Sequence, residues 1–157
     1  MKAGTYLTAL LLIGAAAAPS LVEAWRDSPY AEWGWLAFLL WLPSCLQQAA
    51  QSASFPAWAY RASVLLAAAG ALADVNALNH AALAVVLAGF CRAGKQTWFC
   101  LAMALCWIPA GGYGSARLGF DPRSVSVGCL LAAAWSCVVC CLRSRNFGYA
   151  QNEALHG

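Results

Sequence analysis

Side chains able to do chemistry are scarce in this chain: eight cysteines, two histidines, and fifteen charged residues as nine Lys and Arg plus six Asp and Glu. The densest group is Cys137-Val-Val-Cys140-Cys141. Its C-x-x-C spacing suits a soft metal, thiol exchange or acylation by a palmitoyl chain. A structural zinc site needs four ligands. Cys45, Cys91 and Cys100 are the other plausible partners, provided their helices pack at a common depth. The competing reading is packing, because a thiol in an Ala/Leu/Val-rich segment behaves as a small hydrophobe. Cys106 and Cys129 fall toward the opposite side, where an oxidising compartment could join them.

A second group is the hairpin Asp74, Asn76, Asn79 and His80. A carboxylate beside an imidazole makes a proton-handling pair, and ionisable groups at membrane depth are functional candidates. The plainer reading gives Asp74 and Asn76 to the turn and Asn79 to a helix cap, with His80 one turn below water. A third candidate is Cys129 with Arg117 or Arg123 from the preceding loop, since a cation turns a thiol into a nucleophilic thiolate. No serine-nucleophile elbow, paired-histidine zinc motif or phosphate-binding loop occurs, and no motif calls for a cofactor.

Helices must position these groups. Of 157 residues, 62% are hydrophobic and 10% charged, against the roughly 25% charged content of a soluble domain. Charge-free runs cover residues 3–22, 33–60, 75–91, 96–116 and 124–142, most of them near the roughly 20 residues that cross a bilayer. That composition excludes a soluble enzyme and a disordered chain. A net charge of +3 from scattered residues forms no basic stripe, so no nucleic-acid partner is expected. The expected partner is the lipid bilayer.

The expected fold is an all-α polytopic bundle of five or six transmembrane spans over residues 1–145, followed by a polar cytoplasmic tail, 146–157. Residues 1–24 read either as the first span or as a cleavable signal peptide, broken by Pro19 and ending in Val22-Glu23-Ala24. Small residues at 15–18, 67–70 and 82–89 permit close helix approach. The run Asp74-Val75-Asn76-Ala77 forces a tight antiparallel hairpin. Gly111-Gly-Tyr-Gly114 after Pro109 reads as an irregular loop. With the N-terminus inside, Lys2, Arg61, Arg92, Lys95, Arg143 and Arg145 lie on one side and Arg26, Arg117 and Arg123 on the other, placing both termini in the cytoplasm of an inner-membrane protein.

Ser28-Pro-Tyr30, Glu32-Trp-Gly-Trp-Leu36, the re-entry at Trp58, the hairpin around Asp74 and Trp107-Ile-Pro109 together resemble the N-terminal half of the exosortase/archaeosortase family, over residues 26–115. Those multi-pass membrane enzymes cleave and transfer sorted proteins with a cysteine in an A-C-S-G-x-R-like motif. Here Gly128-Cys129-Leu130 lacks the following Ser-Gly and Arg. The resemblance therefore implies a non-catalytic accessory component of membrane protein sorting, bound to a larger membrane partner. Two alternatives stand beside it: a small carrier or channel for a metal, thiol or other solute, and a membrane cysteine peptidase or transpeptidase using Cys129.

Overall fold

The structure, a computed structural model, describes residues 3–49, 56–91 and 95–156, with side chains described to residue 139 except at 3, 44, 46–49, 95 and 96. The described residues form seven helices and no strand: α1 (Ala3–Asp27), α2 (Gly34–Ala49), α3 (Ala57–Ala73), α4 (Asn76–Ala88), α5 (Lys95–Ala104), α6 (Pro109–Arg117) and α7 (Pro122–His156). The expected all-α bundle is therefore observed. At 1.5 Å rise per residue, α1 and α7 exceed the roughly 30 Å of a hydrocarbon core, whereas α2 to α5 fall short of it. Among the described residues, two helices thus have the length and apolarity to cross a membrane, or three if α5 and α6, bent by 64° at their junction, count as one broken span.

Each helix faces the core through a stripe set by its own spacing. On α1 the buried residues are Tyr6, Ala9, Ile13, Ala17 and Leu21, and on α2 they are Gly34, Ala37, Trp41 and Cys45, the three-to-four-residue repeat of one helical face. Helix α4 is buried nearly all round, from His80 to Ala88, because its alanines and valines let α1 and α3 approach from different sides. Helix α2 packs chiefly on α7. Leu11, Leu12, Leu65, Leu72, Leu131 and Trp135 point outward, leaving an apolar exterior far larger than scattered surface leucines produce.

Three local expectations change. Helix α1 continues through Pro19 to Asp27. The backbone bond lost at proline is tolerated because the helix is held against α4 on either side of it, by Gly14 beside Leu83 and by the Ser20–His80 hydrogen bond. The stretch from Gly111 to Gly114 is not an irregular loop but lies within α6. Pro109 sits at the first helical position, where its missing N–H costs nothing, and Ile108 before it is extended as a residue preceding proline prefers. A side chain at Gly112 would press on Tyr30, so glycine there serves close packing. Helix α4 begins at Asn76, with Val75 as N-cap and no side-chain cap. Asn79 therefore lies inside the helix, and its amide packs where a Cβ on Gly70 would stand.

Candidate metal centre and polar pocket

The α3–α4 turn defines one end of the bundle, and the α4–α5 connection defines the other. Three cysteines converge at the second. Cys45 closes the α2 stripe that runs through Ala37 and Trp41; Cys91 follows the last turn of α4; Cys100 lies on the α5 stripe of Thr97, Cys100 and Ala104. All three are buried thiols. Cys91 Sγ lies 3.0 Å from Cys100 Sγ and 3.8 Å from Cys45 Sγ, and the three sulfurs all fall within 4.8 Å of one another. A metal bound at about 2.3 Å to each of three sulfurs in a trigonal plane would hold them about 4 Å apart. Two edges of the observed triangle, 3.0 and 3.8 Å, lie within about an ångström of that, and the third is no longer than 4.8 Å.

Hydrogen bonds to the backbone fix the three strands of chain. The Trp41 indole donates to the Cys100 carbonyl at 3.0 Å, tying α2 to α5 one turn from Cys45. The Tyr6 hydroxyl donates to the Val86 carbonyl at 2.6 Å, tying α1 to the end of α4. Tyr6 also meets Phe90 edge to face, with ring centroids 5.3 Å apart. Behind this layer Trp25, Phe38, Trp41 and Trp107 form an aromatic block, and Trp25 donates to the Trp107 carbonyl at 2.9 Å. Such a shell holds sulfur ligands in place and keeps water out.

At the hairpin end, α1, α4 and α6 border a cavity of about 530 Å³ that is open on one side. His80 is 4% exposed, and its Nε2 lies 3.0 Å from the Ser20 hydroxyl. Ser20 also reaches the Ala17 carbonyl at 3.2 Å. Its single proton serves one of the two, so donation to Ala17 requires the proton on His80 Nε2. Glu23, Asp27, Asn76 and Tyr113 complete the polar lining.

Of the hairpin candidates, His80 and Asn76 thus meet at one cavity while Asp74 and Asn79 do not line it. Asp74 terminates α3 in the left-handed conformation, φ 54°, its N–H donating to the Gly70 carbonyl, a turn that asparagine, aspartate and glycine favour. The partner of His80 is Ser20 on α1, 60 residues away, which hairpin spacing could not reveal. Cys129 is coupled electrostatically to Cys106. Arg117 and Arg123 are exposed, and no described hydrogen bond or ion pair joins either to Cys129. Cys137 is half-buried on α7, while the side chains of Cys140 and Cys141 lie outside the described residues. The three cysteines first considered only as distant partners therefore form the cluster. The legible signal was that Cys45 and Cys100 each continue an apolar helical stripe. Comparison of the chain with protein-family models, with curated proteins and with solved structures finds no match.

Proposed function

We propose that this chain is a small integral membrane protein of the carrier class that holds a soft metal ion, Cu(I), at Cys45, Cys91 and Cys100. The observation that carries the reading is the convergence of three buried sulfurs from three chain segments within 4.8 Å. Sulfur-only coordination selects soft ions, and Cu(I) accepts it without the fourth ligand that a structural zinc site requires. The apolar exterior and the length of α1 and α7 support placement in a bilayer. On the charge bias of the loops, the cluster faces the cytoplasmic half.

The test is anaerobic titration of the detergent-purified full chain with Cu(I) against a chromophoric competing chelator. One Cu(I) per chain is expected. Single Ser substitutions at Cys45, Cys91 or Cys100 should weaken binding by more than the about 10–100-fold that loss of an outer-shell partner costs, while Cys129→Ser should leave it unchanged. Binding that survives replacement of all three cysteines would refute the site.

A second reading keeps the accessory role implied by the exosortase resemblance. It is favoured by how little of the two long helices the chain covers: only 22% of the apolar stretch of α1 and 17% of that of α7 are buried. Gentle extraction should then recover the protein with a larger membrane partner, and recovery as a lone monomer counts against that role.

A further inference from the structure

The cavity at the hairpin end is a second site, and its lining specifies a ligand of different chemistry. Both charged residues that line it, Glu23 and Asp27, are carboxylates, and no Lys or Arg is among the lining residues. Arg26 is paired with Asp27 at 2.7 Å and turned into solvent, and it also lies in the field of Glu23, so the two carboxylates share one guanidinium and keep a net negative charge. Among the described residues Glu23 has no ion-pair or hydrogen-bond partner. The remaining polar groups add acceptor capacity: the Ser20 hydroxyl, the Asn76 amide oxygen and the Tyr113 hydroxyl. His80 forms a buried floor whose Nε2 is held by Ser20. A volume of about 530 Å³ lies within the roughly 300–1,000 Å³ of small-molecule sites.

We infer that this cavity binds a primary ammonium group, with Glu23 as its counter-ion and Ser20, Asn76 and Tyr113 accepting its N–H bonds. An ammonium is preferred over a bare metal ion because the oxygens and the imidazole line an open cavity without gathering into a ligand cluster. Among the described residues, only the three cysteines draw close enough to one another for that. The ammonium can come from a soluble amine or from an aminophospholipid headgroup, since the cavity lies where α1 ends and α4 begins, at the edge of the apolar region. The site is independent of the metal reading: His80 and Cys91 are separated by about 16 Å along the α4 direction.

The experiment is calorimetric titration of ethanolamine hydrochloride into the full chain in phosphatidylcholine nanodiscs. Saturable binding at one site is expected. Glu23→Gln should weaken it about tenfold or more, the size of a lost charge-assisted hydrogen bond. Asn76→Ala, an exposed position that leaves the fold intact, should weaken it to a smaller extent. Asp121→Asn, which removes a carboxylate outside the cavity, should leave it unchanged. Tetramethylammonium, having the charge without N–H donors, should bind about tenfold more weakly than ethanolamine. If phosphatidylethanolamine in the nanodisc weakens ethanolamine binding by competition, the lipid headgroup is the source; if it has no effect, the source is the soluble amine. Absence of saturable binding, equal binding to Glu23→Gln, or equal affinity for tetramethylammonium would each overturn the proposal.

Discussion

The indole N–H of Trp41 donates to the carbonyl of Cys100 at 3.0 Å, across 59 residues of sequence. Trp41 is fully buried and stands one helical turn before Cys45, so a single side chain sets the distance between two of the three clustered thiols. Trp41→Phe keeps the aromatic packing and removes only this donor, leaving a buried carbonyl without its partner. A stability loss of about 1–3 kcal/mol is expected, with a fall in Cu(I) affinity as α5 moves relative to α2. Thermal unfolding and chelator competition on the same preparation check both; unchanged metal affinity would show that Trp41 supports the fold alone.

Tyr6 and Gly89 form a second coupled pair. A Cβ on Gly89 would overlap the Tyr6 hydroxyl and crowd the Ala59 methyl at 2.9 Å. Gly89→Ala should therefore cost about 1–3 kcal/mol by overpacking and break the Tyr6 bond to Val86. Tyr6→Phe should cost about 1 kcal/mol in the parent chain, and less than that, or nothing, in the Gly89→Ala background, because the colliding oxygen is gone. Additive losses in this double-mutant cycle would contradict the contact.

Asp74 provides a test of turn chemistry against site chemistry. Its φ of 54° is a conformation glycine adopts freely and a β-branched residue resists. Asp74→Gly should leave stability equal or raise it by a few tenths of a kcal/mol, whereas Asp74→Val should lower it by about 1–2 kcal/mol. Neither should alter amine binding at the cavity. If Asp74→Gly abolishes that binding, the carboxylate belongs to the site after all.

The orientation predicted from the loop charges is checked with single cysteines in a cysteine-free background. Asp121→Cys, between α6 and α7, should react with a membrane-impermeant maleimide added to intact cells, and Asn152→Cys in the C-terminal segment should react only after permeabilisation. The reverse pattern would invert the topology inferred from the Lys and Arg count.

Helicity, apolarity and the tight α3–α4 turn were legible in the sequence, because each depends on neighbours a few residues apart. The Asp74 turn follows from a polar residue between two apolar runs, and the break before Pro109 follows from what proline imposes on Ile108. Helix length was less legible. Charge-free runs mark apolar chain but not where its hydrogen-bonding ends: α2 and α4 fill only part of the runs 33–60 and 75–91, while α3 runs through Arg61 and α5 begins at Lys95, charged residues that bound such runs. The glycines after Pro109 were misleading for a related reason: α6 forms despite their low helix propensity, with Gly112 packed against Tyr30 and Gly111 against the Leu105 backbone.

What only the tertiary structure decided was which chemistry-bearing side chains meet. Cys45 and Cys91 are 46 residues apart, and Ser20 and His80 are 60 apart. The sequence put each of them in or beside an apolar segment, and His80 one turn below water, without stating the direction each faces or which helix lies opposite. Both come from how helices rotate and slide against one another to fill space, and here that packing gathered three thiols at one end of α4 and a histidine cavity at the other.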